Sequence, residues 1–322
     1  MPNEVRARRN RPGRVSRVAL GAAVALAATV SVAGFAPASA ADRGAVTLPA
    51  GGILTAPTRI AHTAAGDVGY REVGTGSPIL LVAGHNATMD TWSPAFVDAL
   101  AAHHRVVVFD NAGVGATAPV SPPTSISAMA DQTGALISTL RLHRPTVLGW
   151  SMGGMIAQAL AVRHPAQVGR LVLAATQAGT GASLPIPPAA AAAADSPDPA
   201  VVLSVLFPPD QLAAARAYGA GLLQYPNRYA VSAPTRAAQD TAIAQWMAGQ
   251  DRAGRDLHRI HVPTLVADGT LDALDPTANS HLLHDGLRDA ELLLYPDAGH
   301  AFLFQDTAAF VPAVEAFLHH GR

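Results

Sequence analysis

Five residues, Gly149-Trp150-Ser151-Met152-Gly153, constrain this chain more than any others. The apolar run 145–148 before them reads as a strand, and the small and apolar residues 153–163 after them read as a helix. A serine on so short a strand-to-helix crossing has strained backbone angles. Glycines two before and two after keep Cβ atoms out of the crossing, and the turn pushes Oγ beyond the end of the strand. The N-terminus of the following helix adds positive potential beside that oxygen. The pentapeptide alone is a weak signal; the strand on one side and the helix on the other make it specific. Gly154 lets the helix pack closely on the strand.

The rest of the chain repeats that alternation. Apolar or β-branched runs at 68–73, 79–83, 105–109, 145–148, 171–175, 263–267 and 291–295 read as strands. Between them, 92–103, 127–142, 153–163, 279–287 and 307–319 have helical spacing. Strands separated by helices predict an α/β fold with a mostly parallel central sheet covered on both faces. The segment 178–257 breaks the rhythm. It opens with a Pro/Ala-rich stretch, 184–200, that reads as loop, and continues with helical patterns at 208–223 and 234–248. The expected organisation is an irregular lead-in at 41–65, a core from 66–177 and 258–322, and a helical lid at 178–257.

A serine nucleophile needs a base, and the base needs an orienting acid. His300 follows the last expected strand on the turn Asp297-Ala298-Gly299, which brings it to the same sheet edge as Ser151. Of the others, His103 and His104 end a helix, His143 and His164 lie at element ends, and His319 and His320 are in the tail. Asp272 lies on the loop after the strand 263–267, and is the candidate acid. Asp268 is next, and Asp275 lies further along. The loop after 171–175 offers no acid. The backbone N–H of Met152, and that of His85 on the loop after 79–83, are the expected oxyanion donors. The His85 imidazole should then face the pocket. Trp150, Phe207 and Trp246 are candidate substrate-binding residues, with Met152, Leu206, Leu222, Leu223 and Met247 as further apolar lining.

Composition narrows the chemistry. Hydrophobic residues make up 49% of the 322 and charged residues 14%, enough apolar surface for a sizeable core. The formal charge of −1 gives no broad attraction for nucleic acid. There is no lysine, so no Schiff base, and no cysteine, so no disulfide or thiolate site. No zinc-binding spacing and no complete dinucleotide fingerprint occurs, so no metal or cofactor is expected. Six arginines between Arg6 and Arg17 precede an apolar run at 18–36 and a small-x-small end, Ala38-Ser39-Ala40. That pattern reads as a signal peptide at 1–40, implying a secreted or envelope protein, with a retained anchor as the rival. Its removal leaves 16 basic and 22 acidic residues. No stable membrane span is expected in that remainder.

From about 68 to 317 the chain resembles the α/β-hydrolase superfamily. It is most similar to capped esterases related to cofactor-free haloperoxidases and enol-lactonases. The elbow Gly149–Gly153, the block Phe109-Asp110-Asn111-Ala112-Gly113-Val114-Gly115 and the ending Gly299-His300 carry the likeness. Ala83-Gly84 stands where the family often has His-Gly, and Ala112 where it usually has arginine. The resemblance implies hydrolysis of a small ester through an acyl-enzyme. Perhydrolysis with peroxide, lactone hydrolysis or acyl transfer on the same three residues are alternatives. A non-catalytic binding protein on the same fold is the alternative of another class.

Overall fold

The computed structural model describes residues 51–120, 123–226 and 229–319. The expected signal peptide at 1–40 lies outside the described residues, as does the first part of the lead-in. The strands are β1 Arg59–Thr63, β2 Gly66–Val73, β3 Ser77–Val82, β4 His104–Phe109, β5 Thr146–Trp150, β6 Arg170–Ala174, β7 Thr264–Gly269 and β8 Ala290–Tyr295. They form one eight-stranded sheet in the order β1-β2-β4-β3-β5-β6-β7-β8. β1 runs antiparallel to β2 and β2 to β4; every other pair is parallel.

The helices are α1 Pro94–Ala101, α2 Ile126–Thr139, α3 Met152–Arg163, α4 Pro188–Ala194, α5 Pro199–Leu206, α6 Leu212–Leu222, α7 Ala233–Met247, α8 Arg252–Arg255, α9 Ala278–Gly286, α10 Phe302–Gln305 and α11 Thr307–His319. The continuous apolar runs of the central strands are explained by two cores. On one face Leu80, Val82, Val107, Phe109 and Val147 pack with α2 and α3. On the other, Ile79, Leu81, Val106, Val108 and Leu148 pack with α1 and α11. Successive residues of one strand point to opposite faces, so a strand buried on both must be apolar throughout.

Two expectations need correction. The lead-in 41–65 is not irregular throughout: its described part holds a 3-10 turn, Ile53–Thr55, and β1. β1 buries only Ala61, so it carries no apolar alternation. What makes it a strand is the turn into β2, where Gly66 sits at φ +103° and Thr63 Oγ1 donates to its carbonyl. The Pro/Ala-rich stretch 184–200 is not loop-like either, since α4 and the start of α5 lie in it. Pro188 and Pro199 occupy the first helical positions, where a missing N–H is harmless and the fixed φ suits a helix. Alanine then propagates α4, and Asp198 caps α5 by accepting from Ala200 N–H at 2.9 Å. Between β6 and β7 the described residues contain helices and no strand.

Candidate active site

Ser151 occupies the single residue between β5 and α3, at φ +57° and ψ −125°. A non-glycine residue there is strained, and the surroundings hold it. Its N–H donates to Ala174 O at 2.9 Å, its carbonyl accepts from Gly154 N–H at 2.8 Å, and Thr176 Oγ1 donates to that carbonyl at 2.7 Å. The flanking glycines are demanded by space. A Cβ at Gly149 would lie 2.3 Å from Gly153 O, and one at Gly153 would lie 1.9 Å from Val82 O. Met152 is the first residue of α3, so its N–H has no carbonyl partner within the helix.

His300 lies on the turn between β8 and α10, and it is buried. Its Nδ1 is 2.7 Å from Asp272 Oδ2. A carboxylate only accepts, so Nδ1 carries the proton and Nε2 of the neutral ring is left as the free base. Trp150 Nε1 donates to the His300 carbonyl at 2.9 Å and fixes the backbone behind the ring. Asp272 is itself oriented: its Oδ1 accepts from the N–H groups of Leu274 and Asp275 at 2.7 and 2.8 Å. Burial pulls the imidazole pKa down, but the Asp272 charge and hydrogen bond, with the Asp275 charge, outweigh it and leave the value above 6.5. Among the described residues no hydrogen bond joins Ser151 Oγ to His300. Both line one cavity, and such contacts often tighten only when substrate binds.

The two other acids of this loop take different places. Asp268 is the last residue but one of β7 and has no exposure; Ser280 Oγ donates to its Oδ2 at 2.7 Å, and the His300 ring pairs elsewhere. Burial, then the charges of Asp272 and Asp275, push its carboxyl well above the usual range, toward the neutral acid. Asp275 is pushed to about 7, by burial and then by the Asp272 charge.

The cavity holds about 550 Å³. Its floor is the sheet edge, with Gly84, His85, Ser151, Met152, Met155 and His300. Its roof comes from the insertion between β6 and β7, through Leu206 of α5 and Asp240, Ile243 and Met247 of α7. The loop after β3 is tied on both sides. Asn111 Nδ2 donates to Ala83 O at 2.8 Å, and Met89 N–H donates to Asp110 Oδ1 at 2.8 Å. From the roof, Gln239 Oε1 accepts the Asn86 N–H at 2.9 Å. His85 Nε2 approaches Asp240 Oδ1 to 2.7 Å, at an angle outside hydrogen-bond geometry. No cluster of three or more metal-ligating side chains occurs among the described residues, and no helix among them is long and apolar enough to cross a membrane.

The family model for the alpha/beta hydrolase fold matches residues 77–307. The chain belongs to this family. A Mycobacterium tuberculosis relative, whose name proposes a non-heme bromoperoxidase, is 31% identical over 273 residues, covering 78% of this hydrolase and 97% of the relative. A poly(3-hydroxyalkanoate) depolymerase of Ectopseudomonas oleovorans is 30% identical over 253 residues, covering 76% and 86%. An α/β-hydrolase fold protein from Chitinophaga pinensis superposes with a TM-score of 0.71 at 27% identity, covering 83% of this chain and 98% of that one.

Within this hydrolase the expected site residues divide. Ser151, His300, Met152, His85 and Trp150 line the cavity, and Asp272 pairs with His300 behind it. Phe207 and Trp246, expected to touch substrate, do not line it. Trp246 is fully buried with its Nε1–H on Gln177 O at 3.2 Å, so it anchors α7 to the core. Phe207 packs against Tyr218, ring centroids 5.5 Å apart. Of the further apolar candidates, Leu206 and Met247 line the cavity, Leu222 packs into the second core and Leu223 is exposed. The sequence reading did not single out Gln177, Gln239, Asp240 or Asn279. Polar residues within helices and short loops read as solvent-facing, and nothing local marks Gln177, Gln239 and Asn279 as buried or the half-exposed Asp240 as a cavity residue.

Proposed function

We propose that this hydrolase cleaves carboxylic esters through an acyl-enzyme, with Ser151 as nucleophile, His300 as general base and Asp272 as the orienting acid. The observation that carries the reading is the 2.7 Å contact of His300 Nδ1 with Asp272, beside a serine held at positive φ in the same cavity. His300 Nε2 takes the Ser151 proton as Oγ attacks the ester carbonyl. The Met152 and His85 N–H groups receive the developing oxyanion, each donor being worth about 3 kcal/mol of barrier. The imidazolium, stabilised by Asp272, returns the proton to the departing alcohol. Water activated by the same histidine then releases the acid. The insertion acts as a lid that excludes bulk water and supplies apolar contacts for the acyl chain.

The test is hydrolysis of p-nitrophenyl esters from acetate to palmitate, beside a Ser151→Ala control. Turnover lost in the control, with fluorophosphonate labelling of the parent alone, is the expected outcome. A folded protein that neither turns over nor labels would overturn the reading in favour of a binding role. The bromoperoxidase-named relative supports a second reading in which hydrogen peroxide replaces water as acceptor. Serine-dependent halogenation in the presence of peroxide would establish it. The leader at 1–40 supports export with cleavage after Ala40, which N-terminal sequencing of the exported protein checks.

A further inference from the structure

The cavity is larger than a scissile ester group needs, and part of its wall is made of very short side chains. At roughly 30 Å³ for each water-sized group, 550 Å³ holds on the order of 18 such groups. Its extent follows α5. The Leu206 carbonyl, at the C-terminal end of α5, accepts the Ala301 N–H at 2.9 Å, so that end sits on the turn that carries His300. Leu206 and Val202 both line the cavity, and Val202 is one helical turn, about 6 Å, further along α5 from that end. α4 lies beyond. Ala194 is its last residue, and the link 195–198 joins it to the remote, N-terminal end of α5. α4 packs chiefly against α5, and six of its seven residues are alanine. Ala191 and Ala194, spaced i and i+3 on one face, line the cavity. The exposed Asp195 beside them marks where the cavity meets water.

We propose that an unbranched apolar chain of the ester lies along α5 and ends against α4, so that the methyl groups of Ala191 and Ala194 set the longest chain that gains contact, and the preferred substrates are medium-chain esters. The inference rests on the serine-hydrolase reading above and names its substrate class. Leu206, Val202 and the two alanines offer that chain only apolar side chains. Each methylene buried there raises kcat/KM about fourfold, and the gain stops where the chain passes Asp195 into water. A larger side chain at either alanine takes the space of the last methylenes. α4 accommodates such a change, because alanine and leucine are both strong helix formers and neither Ala191 nor Ala194 is fully buried.

Two substrate series test this. p-Nitrophenyl esters from acetate to palmitate lengthen the acyl side, and alkyl butyrates from ethyl to hexadecyl lengthen the alcohol side. In one series the parent enzyme is expected to gain about fourfold in kcat/KM per methylene. The gain should level off near p-nitrophenyl octanoate or dodecyl butyrate, the members that fill the cavity; the series that responds tells which side of the ester the arm holds. Ala191→Leu and Ala194→Leu each add three carbons to the wall. They should lower the ratio of kcat/KM on that member to kcat/KM on the shortest by about 10- to 60-fold. Ala192→Leu, on the exposed face of α4, is the control and should keep the parent ratio. A merely structural effect would lower all members of a series alike. A parent enzyme that gains nothing with chain length in either series, or leucine variants whose ratios match the control, overturns the proposal; Ser151-dependent turnover of the short esters then leaves the serine-hydrolase reading standing. Absence of Ser151-dependent turnover on every member overturns the reading itself.

Discussion

Substituting Gln239 by leucine should disable the enzyme from its lid, without touching the serine, the histidine or the acid. Gln239 is 1% exposed on α7, and its Oε1 holds the Asn86 N–H at 2.9 Å, across 153 residues of sequence. Asn86 sits at φ +52°, a conformation that asparagine tolerates at a cost of about 1 kcal/mol. Leucine would leave the half-buried Asn86 N–H with no protein acceptor, a penalty of about 1–3 kcal/mol. Together these favour relaxation of the loop by about 2–4 kcal/mol. In the proposed mechanism the loop also presents the adjacent His85 N–H to the oxyanion. If it relaxes, one donor is lost, worth about 3 kcal/mol, so kcat should fall roughly 100-fold with KM little changed.

Steady-state kinetics on p-nitrophenyl butyrate with a thermal melt of the same preparation reads both effects. Thr235→Val is the control. Thr235 Oγ1 donates to Gly113 O at 3.1 Å, so its loss also weakens a contact between insertion and core, but one away from the oxyanion loop. The control should lower the melting temperature and leave kcat alone. If Gln239→Leu behaves like the control, losing stability and not turnover, the coupling of α7 to the oxyanion donors is refuted. The loop would then be held by the Asn111–Ala83 and Met89–Asp110 contacts alone.

Asp272→Asn should keep the two backbone hydrogen bonds on Oδ1 but present an amide N–H to His300 Nδ1, favouring the wrong tautomer; kcat on p-nitrophenyl butyrate should fall about 10⁴-fold with the melting temperature nearly unchanged. Gly153→Ala would force a Cβ to 1.9 Å from Val82 O, so the elbow must open; a destabilisation of about 3 kcal/mol or more, seen in a urea melt, is expected along with lost activity. In the proposed mechanism the neutral His300 imidazole is the base, and a raised pKa means that protonation removes it at higher pH, so the acid limb of kcat/KM should lie above 6.5. Asp275→Asn deletes one of the charges that raise the value, and should move that limb to lower pH; an unmoved limb would place Asp275 electrostatically apart from His300.

What was legible in this chain is what local sterics or strand order dictates. Gly149 and Gly153 announce the elbow because no other residue fits within 2.3 Å of backbone. The three acids after β7 are visible as a group, but their spacing does not separate them. Asp272 takes the histidine because its Oδ1 is captured by two N–H groups of its own turn, which leaves Oδ2 for the ring. The cavity lining was less legible because α7 is apolar on more than one side. Asp240, Ile243, Ala244 and Met247, spaced i, i+3, i+4 and i+7, face the cavity, while Gln239, Ala242 and Trp246 are the residues of that helix buried against the core. With alanines on both sides, the sequence does not fix the helix's rotation. The Trp246 indole does, through its N–H on Gln177 O and the gap left by Gly179, where a Cβ would meet the ring at 2.6 Å. A large aromatic was therefore misassigned to substrate for the same reason that it matters to the fold. Its contact with the core sets which face of α7 turns to the cavity, and so sets the placing of Ile243 and Met247 above Ser151.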